Sequence, residues 1–590
     1  MRILALFLLF TSYCFGQTNT YNISFENAEH HEANVKVYFP DLEQDSFTVR
    51  MSRTSPGRYA LHEFAKNVYG VKATNSKGEK LEIIRPDPYS WTITGHDGTV
   101  NLEYILFGNR ADGTYTQIDQ THAHLNIPAT FMYSESLKER PVEITFNTQH
   151  HPEWKIATQL KQLEANKYYA PDLYYFMDSP TEISNFDSRE FELDGELIRF
   201  ILHHPGTEQE FVEYWEQVKE IVRQQKAIFE ELPEFDFDKY VFLACYMPNV
   251  SGDGMEHRNS TILTSSLPLA EGGMERNIGT VAHEFFHAWN VERIRPESLE
   301  PFDFTEANMS GLLWFAEGFT SYYTGLTLAR AGIYTPEEYA KSLNGTFNYV
   351  WNSPARDYFS PVEMSYQAPF VDAAASIDPV NRENTFISYY SYGSMLGLAL
   401  DLKLRQKGHN LDEFMQLMWE TYGEPEIPYD LEDLERALTN YAGKEFAENY
   451  FQNYIYNSKM LDYEKLFADV GLQIKRDSEN AFFGTSLTSD EDSFFISGNP
   501  QRKTPAYKAG LGKGDKIISI NGNILTTENS WKEELEKYSP GDTLELKIER
   551  HGNKMKKIVI LEEDPIYKIT IDENASPKAV AAREEWLSAK

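Results

Sequence analysis

The part of this 590-residue chain best equipped for chemistry is a pair of histidines four positions apart with a glutamate beside the first: His283, Glu284 and His287, in NIGTVAHEFFHAWNVERIRP. Ile278, Val281, Ala282, Phe285, Phe286 and Trp289 give this segment the period of a mostly buried helix, which Pro296 helps to end. At about 100° per residue the spacing puts both imidazoles on one face, where their nitrogens can converge on one tetrahedral zinc. Zinc lowers the pKa of a water towards about 7, and a carboxylate beside it can take the proton as hydroxide attacks a carbonyl. Glu284 fits that role. A helix with two incidental histidines is the bland alternative, and so short a motif does not dispose of it alone.

A catalytic zinc needs a third protein ligand and an open position. Glu317 is the choice, because it lies in GLLWFAEGFTSYYTG, an apolar helix-like run where an ionised carboxylate is costly to bury without a cation. Glu306 is closer in sequence but sits in the polar segment FDFTEANM.

The elements that must position these residues divide a chain too long for one hydrophobic core. Short alternating runs such as NVKVYF, VEITF and LIRFIL imply an antiparallel β domain over 17–204. Beyond Pro205 a helical period begins, with Phe211, Trp215, Val218 and Val222 on one face. A strand over Tyr240 to Met247, the glycine-punctuated loop SGDGMEH, and helical blocks near 278–294, 309–330 and 388–406 imply an α+β catalytic domain over 205–470. The aperiodic stretch 344–384 reads either as an active-site wall or lid or as a passive insertion. Short β runs return over 471–565, and 566–590 reads as a helical or frayed tail. Gly510, Gly512 and Gly514 lack phosphate-loop spacing and read as a turn.

A formal charge of -35 argues against nucleic acid as a partner. The one local basic cluster, RHGNKMKK, reads as a solvated hairpin. Met1 and Arg2, the apolar run Ile3 to Phe10 and then TSYCFG have the pattern of a secretory leader cleaved after Gly16, which implies export to a periplasmic or extracellular space. No segment has the roughly 20 apolar residues of a transmembrane helix. Tyr13 argues against lipid attachment at Cys14. Cys245, in the apolar run YVFLACYM, reads as a buried inert thiol, so disulfides do not hold this fold.

HEFFHAWNVERIRP followed by LLWFAEGFTSYY resembles the glycyl aminopeptidase family, thermolysin-like zinc peptidases related to aminopeptidase N. Trp314, Glu317, Gly318 and Phe319 reproduce the W-x-x-E-G-F of the third ligand, although the separation from His287 is longer than in aminopeptidase N. Gly254, Met255 and Glu256 resemble G-x-M-E-N, with His257 in place of Asn. The resemblance implies that Glu256 binds the substrate's free amine, and a carboxylate edging the cleft can measure the distance from chain end to scissile bond. Tyr390, Ser391, Tyr392 and Gly393 resemble Y-x-K-G, which implies Tyr390 as donor to the oxyanion; Tyr389 and Tyr392 stand as alternatives.

The region from FFGTSL through LELKIER resembles a PDZ domain, whose carboxylate-binding loop matches Phe482, Phe483, Gly484 and Thr485. Such a domain takes an extended peptide as an added strand, with a protein or peptide C-terminus at the loop. A non-binding spacer is the alternative. The whole reads as a multi-domain α+β protein: an N-terminal antiparallel β domain, a thermolysin-like, mainly helical catalytic domain and a PDZ domain. The expected activity is removal of N-terminal residues from peptide substrates with one Zn2+ per chain, and small Gly or Ala residues are implied by the family alone. The rival expectations are a secreted zinc endopeptidase with PDZ-assisted capture and a non-catalytic PDZ peptide-binding protein.

Overall fold

The computed structural model of the chain describes residues 17–372, 378–490, 493–525 and 528–590. The expected leader, with Cys14 and the cleavage point, lies outside the described residues.

The N-terminal region forms sheets of seven, four and three strands. Strand Glu32–Phe39 shows why: its residues alternate between buried and exposed, so one face enters the core and the other meets solvent. The described pairings here are antiparallel except that Asn19–Asn27 runs parallel to Val142–Asn147.

Strands Asp187–Leu193 and Glu196–His203 lie on the N-terminal side of a boundary at 204, yet they pair into a different sheet. Glu196–His203 runs parallel to Lys239–Tyr246, and both belong to a five-stranded sheet with Ser260–Ser265 and the edge strand Asp253–His257. The alternation of LIRFIL fixes a strand but not its partner. SGDGMEH is likewise mostly strand rather than loop, because Gly254 permits a close approach to the helix behind it.

Against this sheet pack helix Glu208–Phe229, opened by a Thr207–Glu210 capping box, and helix Gly273–Phe286, which carries His283 and is capped by His287. Helices Leu313–Arg330 and Tyr389–Arg405 complete the core around the site. The first part of the aperiodic stretch is helical after all: Pro336–Asn352 starts at a Thr335–Glu338 capping box and buries Phe347 and Val350.

The expected PDZ region has a five-stranded sheet and a core of its own. It is clasped at its base by Leu472–Arg476 and Tyr567–Ile571, which pair with each other and bury Leu472 and Ile569 in the catalytic core. Asn344 and Asn348, one helical turn apart, hydrogen-bond the backbone of Ile569 and Tyr567 in both directions, each amide serving as donor and acceptor.

The last residues are not frayed. Helix Pro577–Leu587 inserts Trp586, 0% exposed, between the catalytic helices. Its indole N–H donates to the Tyr322 hydroxyl at 3.0 Å, Tyr322 donates to Asp401 at 2.5 Å, and Arg330 donates to the Trp586 carbonyl at 3.2 Å. The sparse apolar pattern of SPKAVAAREEWLSAK hides one large anchor. Trp586→Ala is therefore expected to destabilise the catalytic domain by about 3–5 kcal/mol in denaturant unfolding. A tail without a packing role would show no change.

Candidate active site

His287 closes the histidine helix at φ -64 and ψ -18, still right-handed helical geometry, so its ring projects beside that of His283. The helix ends here rather than nearer Pro296 because the chain turns back: the Asn290 carbonyl accepts from His287 Nδ1 at 2.7 Å. The next residue, Val291, takes φ 120, a strained conformation for a β-branched side chain.

A carbonyl oxygen only accepts, so Nδ1 of His287 carries the proton and Nε2 keeps its lone pair. His283 is set the same way. Its Nδ1 lies 3.2 Å from the Thr324 hydroxyl, whose own proton goes to the Thr320 carbonyl at 2.9 Å. The two free Nε2 atoms are 3.2 Å apart, and Glu317 Oε2 lies 3.6 Å from that of His283 and 3.2 Å from that of His287. Donors bonded at roughly 2.0–2.2 Å to one tetrahedral ion stand roughly 3.3–3.6 Å from each other, so the three match a metal-ligand set. Glu306 is exposed and outside the cluster.

Glu317 reaches this point because two glycines let two helices touch. A Cβ on Gly318 would overlap the Gly393 backbone, and one on Gly393 would overlap the Trp314 carbonyl. The crossing carries Tyr389 and Tyr390 into the same cavity as Glu317. Tyr390 packs with its ring centroid 5.9 Å from that of His283 and stacks on Tyr389 at 4.8 Å. Tyr392 is buried outside the cavity, which separates it from its two neighbours.

On the opposite wall runs the edge strand Asp253–His257. The Glu256 and Glu284 carboxylates and His287 come within 4.8 Å of one another. Gly254 must be glycine, since a Cβ there would strike the Glu284 carboxylate and Thr280. Met255 is buried, its sulfur beneath Gly57, which holds φ 78. His257, in place of the motif's Asn, meets Asp178 at 2.8 Å and ties the strand to the N-terminal region.

The cavity, about 290 Å³, is also lined by Arg58, Tyr59, Asp253 and Asp372. Tyr59 donates to Glu317 Oε1 at 2.7 Å, and Arg58 pairs with Asp253. Sequence reasoning missed these four. Tyr59 and Glu317 are 258 positions apart and share no local pattern. Asp372 gives the stretch 344–384 a share in the cavity wall.

Electrostatically the pocket is crowded with negative charge. Burial pushes the Glu284 carboxyl well above its usual range, and the neighbouring Glu256 and Glu317 add to that against the pull of His287. Burial likewise raises Glu256. Burial opposes ionisation of Glu317 too, but His287 and His283 outweigh it and hold this carboxyl well below the usual range. Burial lowers His287, yet Glu317 and Glu256 outweigh it and raise it to about 10, a measure of how strongly the pocket favours positive charge at this point. Glu284 Oε2 is buried without a hydrogen-bond partner among the described residues. Three carboxylates and two preset lone pairs fit a divalent cation, and a His2Glu set suits zinc.

The expected carboxylate loop lies apart from this cavity. Phe482, Gly484 and Thr485 line a second cleft of about 480 Å³ that also touches Asn348 and Tyr349. Phe483 is buried against Trp531, and Gly484 holds φ 92 where a Cβ would strike Thr504. Strand Leu487–Asp490 behind the loop is the edge of its sheet.

Three family models match the chain: the peptidase M61 N-terminal domain over residues 20–185, M61 glycyl aminopeptidase over 276–396 and the PDZ domain over 481–561. Among solved structures, an aminopeptidase N family protein from Idiomarina loihiensis is 24% identical, with 97% of this chain and 100% of that one covered at a TM-score of 0.85. That likeness establishes the fold. An M1 zinc metallopeptidase from Deinococcus radiodurans is 13% identical, with 76% of this chain and 95% of that one covered at a TM-score of 0.44. No curated protein matches the chain in sequence.

Partners that orient metal ligands typically carry about 10–100-fold of metal affinity. Tyr59→Phe and Thr324→Val are each expected to weaken zinc binding by that order in competition with a chromophoric chelator. A substitution at exposed Glu306 should leave the affinity unchanged.

Proposed function

Because the chain carries the N-terminal and catalytic domains of the M61 glycyl aminopeptidase family together with a PDZ domain, we propose that it is a zinc-dependent aminopeptidase acting on peptides. The observation that carries this reading is the gathering of His283, His287, Glu317, Glu284 and Glu256 around one small cavity.

In this reading His283, His287 and Glu317 hold the metal. When bound, zinc supplies Lewis acidity, polarising the scissile carbonyl and making a water nucleophilic near neutral pH. Glu284 takes the proton from the attacking water and passes it to the departing amine. Its unpaired, buried Oε2 supports that role, since no other group competes for it. Tyr390 donates to the oxyanion as charge develops there, supported by its packing against His283; Tyr389 behind it steadies the ring.

Glu256 receives the substrate's α-ammonium. A carboxylate 6% exposed in the cavity wall, within 4.8 Å of Glu284 and His287, can pair with an amine close to the scissile bond, which favours an exopeptidase. A small first residue, Gly or Ala, follows from the likeness to the glycyl aminopeptidase family. For the PDZ domain, the loop Phe482, Phe483, Gly484 and Thr485 would take a peptide C-terminus while the chain adds along the free edge of Leu487–Asp490.

Two substitutions separate the roles. Glu284→Gln is expected to retain zinc and lose about 10²–10⁴-fold in kcat. Glu256→Gln is expected to raise KM for free-amine peptides by at least about tenfold, since it removes a charged hydrogen bond of about 1.5–3 kcal/mol. Full turnover by Glu284→Gln would contradict the proposal.

A further inference from the structure

A second cluster of metal-binding side chains lies away from the catalytic cavity. His122 on strand His122–Leu125 and Glu182 on Thr181–Ser184 come from adjacent strands of the N-terminal four-stranded sheet. His203 and Cys245 are register partners on the parallel strands Glu196–His203 and Lys239–Tyr246 of the catalytic sheet. All four are buried, and one donor atom of each lies within 4.8 Å of the other three. We propose that His122, Glu182, His203 and Cys245 form a second zinc site that clamps the N-terminal domain to the catalytic domain.

The distances carry this inference. His122 Nδ1 lies 3.3 Å from Glu182 Oε1 and 3.7 Å from Cys245 Sγ, and His203 Nδ1 lies 3.5 Å and 3.6 Å from the same two atoms. A tetrahedral zinc bonded to nitrogen and oxygen near 2.0–2.2 Å and to sulfur near 2.3 Å separates its donors by roughly 3.3–3.7 Å. Direct hydrogen bonds between nitrogen and oxygen would close to about 2.7–3.2 Å. The four measured separations, 3.3, 3.5, 3.6 and 3.7 Å, all fall at ligand spacing.

The surrounding partners set the donors. His122 Nε2 lies 3.0 Å from Gln117 Oε1, and the Gln117 amide is turned that way because its nitrogen donates to the Asn249 carbonyl at 3.3 Å. One proton of His122 therefore sits on Nε2, and in the neutral form that a metal ligand takes Nδ1 offers its lone pair beside the Glu182 carboxylate oxygen, 3.3 Å away, and the Cys245 sulfur. The other carboxylate oxygen, Glu182 Oε2, is held by His124 Nδ1 at 3.1 Å, while His124 Nε2 donates to the Asp112 carbonyl at 2.9 Å. That arrangement orients the ligand carboxylate as a partner outside the coordination sphere does in known metal sites.

Four protein ligands leave no open position, so the site is structural rather than catalytic. Zinc uptake here displaces the thiol proton of Cys245 to solvent and leaves the thiolate as ligand. The clamp reaches the active site through Asp112. The neighbouring Gly113 N–H donates to Asp253 at 3.0 Å, and Asp253 begins the edge strand that carries Glu256.

The test is metal content and cobalt spectroscopy on the full chain in a Cys14→Ser background, which leaves Cys245 as the sole thiol of a sequence with two cysteines. The expected result is two equivalents of zinc, falling to one in His287→Ala and to one in Cys245→Ser. Cobalt loading is expected to give a thiolate-to-metal charge-transfer band that survives in His287→Ala and vanishes in Cys245→Ser. The catalytic cavity holds no sulfur ligand, so this band reports the second site alone. One equivalent in the parent chain, abolished by His287→Ala, would overturn the proposal, as would a cobalt-loaded chain with no thiolate band. Should Cys245→Ser fail to fold, the parent and His287→Ala decide between these outcomes.

Discussion

Three carboxylates and two imidazoles share one buried cavity, and their mutual electrostatics govern everything built around them. Removing an ion from water costs several kcal/mol even after relaxation. Glu317 is 1% exposed and Glu284 5%, so neither regains hydration, and His287 answers only part of the charge. A divalent cation resolves the conflict by satisfying both imidazole lone pairs and the Glu317 carboxylate together. The pocket is arranged for a charge of +2 at one point.

The fold supplies rigidity at each donor. The Asn290 carbonyl and the Thr324 hydroxyl fix the two tautomers, and Tyr59 fixes the Glu317 carboxylate. The side chain of Asn290 donates to the Ala316 carbonyl at 2.9 Å and to the Thr320 hydroxyl at 3.1 Å, joining the turn after His287 to the helix that carries Glu317. The Gly318–Gly393 contact joins that helix to the one carrying Tyr390, and Trp586 braces the same pair from the far end of the chain. The cavity is thus held by segments from the N-terminal region, the catalytic core and the last helix. It is a product of the whole chain rather than of one motif.

This explains what could be read from sequence. His283 and His287 announce themselves because four positions make one helical turn, and Glu317 because a carboxylate is out of place in an apolar run. Gly254, Gly318 and Gly393 sit in motifs for a physical reason, the backbone contacts that a Cβ would block. Tyr59, Arg58 and Asp372 carry no such mark, since only tertiary packing brings them to the cavity. LIRFIL reads as a strand in either sheet, so its membership in the catalytic sheet was hidden. Trp586 stands in a polar context that gives no helical stripe. Nothing near Cys245 in sequence marks its companions, because the three come from other strands, two of them in another sheet.

The residue on which the proposed specificity turns is Glu256, which in the proposal makes a general zinc hydrolase an enzyme that counts from a chain end. The direct test compares hydrolysis of one peptide with a free and with an acetylated N-terminus by the zinc-loaded enzyme. A free amine pairs with Glu256 and an acetyl group does not. The expected result is release of the first residue from the free peptide and at least about a hundredfold lower kcat/KM for the acetylated one, the loss of a desolvated charge pair. Equal cleavage of the two would contradict the account.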